Sequence, residues 1–292
     1  MIAVGGLFYQ AERFLDDYFS MLRAQEYPKR KMRLIWLYGE GEDATLKSLK
    51  QFGEEHGREY AEFTLFQVNR MPGDLTGEEG KRLAQQNVVQ AYNHLLEFSK
   101  PDDLLIMEQD IVAPPDAVSK LIALSEKAAI VAGVTLVTGS QLKVEAKNGG
   151  IFKVCGLPAV SAYVFDAKHE YTSISTQLVR INAIRLPAEL MDKAFFVDGV
   201  ATGLSLIKRE VMDRLIFETA PIRSQDLHYC ARARELGYKI AVDAGIWYEH
   251  NHYKYRKEFT PAGLVLTLLD SVRNDGITFE IEPKNNSVGC RI

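Results

Sequence analysis

Asp103-Leu-Leu-Ile-Met-Glu108-Gln-Asp110-Ile-Val-Ala-Pro-Pro-Asp116 packs a strand, an acidic turn and a helix start into one short segment. Leu104, Leu105, Ile106 and Met107 form an unbroken apolar run, the pattern of a strand buried on both faces of a parallel sheet. Pro114-Pro115 then opens a helix, because the missing proline N–H costs nothing in a first turn. In an open α/β sheet, ligands are held beyond the carboxyl ends of the strands. Glu108 and Asp110 stand at such an end and offer hard oxygen ligands to Mg²⁺ or Mn²⁺. A divalent ion at that place holds phosphates. The competing reading is structural: the two carboxylates end a strand and cap the helix that follows.

Upstream of this segment, strands alternate with helices. Ile2–Leu7 reads as a strand, and Phe14, Leu15, Tyr18, Phe19 and Leu22 recur at helical spacing. Met32–Leu37 is a second strand, with Asp43 placed to cap a helix carrying Leu46, Leu49 and Phe52. Phe63–Val68 is a third strand, and Thr76-Gly-Glu-Glu79 has capping-box spacing for a helix to about Phe98. Such repeated units predict a mainly parallel, doubly wound sheet. Downstream, Ala129–Leu136 is strand-like, while residues 138–190 show weak periodicity and would carry acceptor specificity. A helix is expected near Arg209–Leu215 and another over Asp226–Leu236, closed by Gly237, with short strands at Lys239–Val242 and Ile246–Glu249. Leu264, Leu268 and Val272 suggest a final amphipathic helix.

Composition narrows the function classes. Of 292 residues 47% are apolar, enough for a full core, and nothing points to disorder. A net charge of −4 gives no electrostatic case for nucleic acid as the main partner. Cys155, Cys230 and Cys290 are few and scattered, as in reduced thiols, and Cys230 reads as helix core. No apolar run is long enough to span a bilayer, and Met1–Phe8 reads as a strand rather than a signal peptide. The expectation is a soluble, cytoplasmic protein without a transmembrane segment.

Four motifs in order carry a family resemblance. They are Ile2-Ala-Val-Gly-Gly-Leu-Phe8-Tyr9-Gln10 with Ser20–Pro28; Tyr38-Gly-Glu40-Gly-Glu-Asp43-Ala-Thr45; Glu108-Gln-Asp110; and Ser224-Gln225-Asp226 with the helix to Gly237. Over residues 1–257 the chain resembles family-2-type, nucleotide-diphospho-sugar glycosyltransferases of the GT-A fold. That fold is Rossmann-like, with a mainly parallel sheet and a mixed acceptor-side half. The resemblance implies a nucleotide-sugar-binding half at 1–136, an acceptor and catalytic half at 137–257, and a C-terminal helix and tail at 258–292 packed on the domain. It makes Phe8, Tyr9 and Gln10 candidates for base or ribose contacts, and Glu40, in preference to Asp43, the carboxylate for the base. Glu stands in the first slot of the Asp-x-Asp stretch, Tyr38 and Gly39 stand where a paired Asp is usual, and Gln225 replaces the common Glu.

The resemblance further implies a metal-dependent transfer of a sugar from a nucleoside-diphosphate donor to a hydroxyl acceptor. Mn²⁺ or Mg²⁺ would neutralise the leaving diphosphate, with Asp110 as the main ligand, Glu108 as the second and His250 as a third. An imidazole ligand tilts the choice toward Mn²⁺. Asp226, ionised at a helix N-terminus, would be the general base of an inverting reaction. Lys81, Arg82, Lys254 and Arg256 would meet the diphosphate, the last two within a Tyr253–Lys257 lid. Asp198, Gly199, Thr202 and Gln225 would line the sugar and acceptor side. Competing readings are a nucleotidyltransferase on a related sheet, and a non-catalytic sugar-nucleotide or glycan-binding module.

Overall fold

Strand–helix alternation in the first third of the chain becomes four successive units. β1 (Ile2–Phe8) leads to α1 (Glu12–Ala24), β2 (Met32–Gly39) to α2 (Thr45–His56), and β3 (Glu62–Val68) to α3 (Gly77–Phe98). β4 (Asp103–Met107) leads through a short β5 (Ile111–Val112) to α4 (Ala117–Leu124). β6 (Ile130–Val134) is followed by β7 (Leu136–Glu145), β8 (Ile151–Val160), β9 (Ala162–Phe165), β10 (Tyr171–Ser173), β11 (Thr176–Leu178) and β12 (Ala183–Pro187). Then come β13 (Ala194–Val197), β14 (Gly199–Val200), β15 (Leu204–Ile207), α5 (Arg209–Met212) and α6 (Gln225–Glu235). The last strands are β16 (Ile240–Trp247), β17 (Glu249–His250), β18 (Tyr253–Thr260), β19 (Gly263–Ser271) and β20 (Thr278–Ile281). The structure, a computed structural model, describes residues 1–68, 77–145, 151–165, 171–174, 176–178, 183–220, 224–251, 253–271 and 278–281. Thr76, the expected cap of α3, lies outside them.

The chain forms two compact units that interleave in sequence. One comprises Met1–Thr135, Ser161–Thr172 and Asp192–Asn251, the other Leu136–Val160, Ser173–Met191 and His252–Ile292. The first is built on an eight-stranded sheet in the order β13-β16-β6-β15-β4-β1-β2-β3. β4, β1, β2 and β3 are mutually parallel. β15 enters antiparallel between β4 and β6, and β13 is antiparallel to β16. A parallel half and a mixed half therefore share one sheet.

Side-chain alternation divides the two faces of that sheet. Ile2, Val4, Leu34, Trp36, Leu105 and Met107 join one core cluster with Leu15, Tyr18 and Leu22 of α1, Leu49 and Phe52 of α2, and Leu121 of α4. The Trp36 ring packs within 5.1 Å of Phe8, 5.0 Å of Phe52 and 5.1 Å of Phe63. On the other face Leu95 of α3 and Leu104 fill the space beside Gly5. Each large side chain so buried contributes about 1.5–3 kcal/mol, more than a solvent-screened surface ion pair such as Lys29–Glu59. The core, not the surface charges, holds the sheet. Cys230 is buried in it, where desolvation pushes its thiol up to about 12.

The second unit contains two sheets, β11-β12-β19-β18 and β20-β8-β7. The expected helix through Leu264 and Leu268 is instead β19, paired with β12 on one side and β18 on the other. A four-residue spacing fits one helical turn and also two strand repeats, so it could not separate them. Val272 lies outside the described residues. The weakly periodic stretch 138–190 supplies β7 to β12, with register shifts between Val137 and Leu142 that blur its alternation.

Gly237 closes α6 as expected, with φ +85°. Its N–H bonds Arg234 O at 2.8 Å, and Tyr238 N–H bonds Ala233 O at 3.1 Å, the paired bonds of a Schellman motif. Gly237→Ala should therefore cost about 1 kcal/mol through its left-handed backbone. A urea-unfolding midpoint that falls with unchanged slope would show this.

Candidate active site

β4 carries Glu108 and Asp110 to the carboxyl edge of the sheet, where the chain turns at once into β5. β5 pairs antiparallel with β17, setting His250 opposite Ile111. Asn251 N–H donates to Asp110 O at 2.7 Å and closes the same ladder. That two-rung pairing is why a histidine remote in sequence stands beside the acidic turn. His250 Nε2 lies 3.7 Å from Asp110 Oδ2. Among the described residues, Glu108, Asp110 and His250 each offer a ligand atom, all within 4.8 Å of one another. Asp110 is 6% exposed.

Glu108 is held from several sides. Its N–H donates to Gly203 O at 2.9 Å. Its Oε1 accepts from the Tyr92 hydroxyl at 2.5 Å and from Thr202 Oγ1 at 3.3 Å, and those two hydroxyls are 3.1 Å apart. A Cβ at Gly203 would stand 2.9 Å from the Tyr248 hydroxyl and 3.4 Å from Glu108 Oε2, so only glycine admits both. Burial, then the nearby Asp110 charge, pushes the Glu108 carboxyl up to about 7, with the Tyr92 hydrogen bond opposing. Asp226 begins α6 close by. Burial raises its pKa too, against hydrogen bonds from Ser224, the Leu227 N–H and the Thr202 N–H. The helix N-terminus is thus not the governing influence on Asp226; desolvation is.

Neither a protein-family model nor a curated protein matches the sequence. Solved structures do match. The mannosyltransferase PcManGT from Pyrobaculum calidifontis, in complex with GDP-Man and Mn²⁺, is 15% identical over 86% of this chain and 56% of its own, with TM-score 0.51. GalNAc-T7, solved with UDP, GalNAc and Mn²⁺, is 11% identical over 85% of this chain and 43% of its own, with TM-score 0.55. TarS 1-349 of S. aureus is 11% identical over 86% of this chain and 60% of its own, with TM-score 0.50. All three are GT-A-type glycosyltransferases. This chain has the GT-A fold. It spans about half the length of the structures it matches. No helix among its described residues is long and apolar enough to cross a membrane.

Around the rest of the GT-A sheet, the expected residues separate into groups. Phe8 is fully buried, its ring 5.2 Å from Tyr18, so it is not available to a base. Strand alternation puts it on the face of Ile2 and Val4, under α1. Tyr9 and Gln10 do reach the carboxyl edge. Gln109 clamps the Tyr9 backbone, accepting its N–H at 2.8 Å and donating to its carbonyl at 3.2 Å. Glu40 is exposed in the turn after β2, which the Tyr38 hydroxyl closes by accepting the Gly41 N–H at 2.9 Å. Asp43 is occupied by the Glu12 N–H and by the Thr45 N–H and hydroxyl.

On the other side, Thr202 meets Glu108, but Asp198 and Gly199 do not. Asp198 Oδ2 accepts the Phe165 N–H at 2.7 Å and Oδ1 pairs with Arg234 at 2.9 Å, so this carboxylate ties β9 to α6 rather than facing a sugar. Gly199 is buried in β14 opposite Tyr163. Gln225 is the first residue of α6 and is half-buried. Arg82 is exposed on α3. Lys81 lies in α3, and Lys254 and Arg256 in β18, with their side chains outside the description; the Tyr253–Lys257 run is strand backbone paired to β19. His252, which the sequence offers as an alternative to His250, lies outside the described residues.

Tyr92, Gln109 and Tyr248 were not anticipated. Gln109 had one signal, a polar amide between two carboxylates at a strand end; Tyr92, mid-helix, had none. Tyr92→Phe keeps the ring, which stacks 4.8 Å from Phe217, and removes a donor to a desolvated carboxylate. It should cost about 1.5–3 kcal/mol in metal-free buffer, read from urea denaturation.

Proposed function

We propose that this chain is a metal-dependent glycosyltransferase, moving a sugar from a nucleoside-diphosphate donor to a hydroxyl acceptor with inversion at the anomeric carbon. The observation that carries the reading is the convergence of Glu108, Asp110 and His250 at the end of β4 in a GT-A sheet. The donor set fits a divalent ion. Glu108, Asp110 and His250 would hold it, their ligand atoms already lying within 4.8 Å of one another. Two carboxylates with one imidazole suit Mn²⁺ better than Mg²⁺. The Mn²⁺ found with PcManGT and GalNAc-T7 supports the same choice. When bound, the ion supplies Lewis-acid neutralisation of charge developing on the departing diphosphate.

The remaining steps belong to the chain's own side chains. Tyr92 and Thr202 fix Glu108 Oε1, and Glu108 so held would serve as a ligand beside Asp110. Tyr9, Gln10 and Glu40 rim the carboxyl ends of β1 and β2, where the base and ribose would lie. Asp226 would accept the acceptor hydroxyl's proton as its oxygen attacks opposite the diphosphate. Its burial makes the ionised carboxylate a stronger base than an exposed aspartate. Thr202 and Gln225 would line the sugar and acceptor side.

A thermal-shift screen of nucleoside diphosphates and nucleotide sugars, with and without Mn²⁺, tests the reading. A native-state ligand at about 100 times its Kd stabilises by about 2.7 kcal/mol. Asp110→Asn should abolish the Mn²⁺-dependent part of the shift. Asp226→Asn should keep it while sugar transfer falls by about 10²-fold or more. No shift with any nucleotide would sink the proposal.

A further inference from the structure

In the sheet order, β1 has β2 on one side and β4 on the other. The crevice beyond the carboxyl ends of β1 and β4 is therefore the topological switch point, where such sheets hold ligands. Parallel pairing between these strands runs from Ile2 with Asp103 to Gly5 with Ile106. Past that last rung, a side chain takes over. A glutamine amide carries a donor and an acceptor, as a peptide group does. Gln109 uses both on one residue, accepting the Tyr9 N–H at 2.8 Å and donating to the Tyr9 carbonyl at 3.2 Å. It thereby stitches the two rims of the crevice together.

What it stitches is unequal in chemistry. On its own side Gln109 stands between Glu108 and Asp110, the metal-facing carboxylates. On the far side, the clamped Tyr9 is followed by Gln10, a non-glycine residue held at φ +44°. The Gln10 side chain reaches across to the loop after β2, its Cγ 3.2 Å from where a Cβ on Gly41 would stand. Gln109 thus joins the loops after β1 and β4, and Gln10 carries the contact on to the loop after β2.

We infer that Gln109 is a positioning residue for the donor: it fixes the spacing between the nucleoside-facing Tyr9–Gln10 loop and the metal-facing Glu108–Asp110 turn. A nucleoside diphosphate held at both ends gains affinity only while that spacing is kept. The inference rests on the donor-site reading above. It predicts a separation that a merely structural glutamine would not give, in which nucleotide affinity depends on Gln109 and ion affinity does not.

Gln109→Met in the full chain keeps length and bulk but removes both hydrogen bonds. Binding of Mn²⁺ alone, followed by electron paramagnetic resonance, should stay within about twofold of the parent, whereas calorimetric affinity for the tightest binder among ADP, CDP, GDP and UDP at saturating Mn²⁺ should fall about tenfold or more. Gln10→Ala supplies the second arm: because Gln109 acts through this loop, its loss and that of Gln109 should be less than additive in the double variant. Unchanged nucleotide affinity, an equal loss of Mn²⁺ binding, or strict additivity would overturn the inference and leave the glycosyltransferase reading standing. A parent protein that binds Mn²⁺ but none of the four nucleotides would overturn both.

Discussion

Two carboxylates brought out of water together are the constraint around which the first unit is arranged. Glu108 and Asp110 come within 4.8 Å at the end of one buried strand. At an effective dielectric near 20 that repulsion is on the order of 3 kcal/mol, before desolvation is counted. Hydrogen bonds to a charged group offset about 1.5–3 kcal/mol each. Tyr92 and Thr202 on Glu108 therefore roughly match the repulsion before desolvation is counted. Protonation of Glu108, whose carboxyl is pushed up to about 7, is one remedy and a positive partner another, and His250 already faces Asp110. A site built at such cost in a strand end is poorly explained as a helix cap.

The antiparallel strand at the centre of the sheet is what lets the acidic pair be served. β15 enters beside β4 with Leu204 opposite Met107, so Thr202 and Gly203 arrive level with Glu108. From the far end of β15 the chain returns to the same region at α6. Asn93 of α3 fixes that return, donating to Phe217 O at 3.0 Å and accepting its N–H at 2.7 Å. Phe217 stacks between Tyr92, at 4.8 Å, and Tyr229 of α6, at 4.3 Å. Thr202 then touches both chemistries, its hydroxyl on Glu108 and its N–H on Asp226. Glu108 and Asp226, the proposed metal ligand and the proposed base, are linked through a single residue.

Legibility in the sequence followed locality. β1 to β4 with their helices were readable because each carries a full period of its own pattern, and the end of α6 was readable from Gly237. The acidic turn was readable because both carboxylates lie in one short segment. Phe8 misled because residues near a strand end were judged by place in a motif rather than by face; period two assigns it to the core. Asp198 misled for the converse reason, since its partners Phe165 and Arg234 are distant in sequence. β19 passed for a helix because its leucines satisfy both periods. Tyr92 could not be found at all, because its role depends on how α3 packs on the sheet, which no local pattern encodes.

His250 shows how far a site can depend on an irregularity. Along β16, Val242 opposes Ala132 but Trp247 opposes Val134, so five steps on one strand match only two on the other. Three residues are absorbed around Asp243–Gly245, where Asp243 Oδ1 accepts the Gly245 N–H at 2.8 Å and Ala244 N–H turns outward to Lys193 O at 2.9 Å. A strand in unbroken register would carry everything after it about 10 Å further along, at about 3.3 Å per residue. Tyr248 would then miss its bond to Val134 O, and His250 would overrun Ile111. The irregularity is thus what returns the imidazole to Asp110. The length correction that brings His250 level with Asp110 is made by β16 in its own backbone.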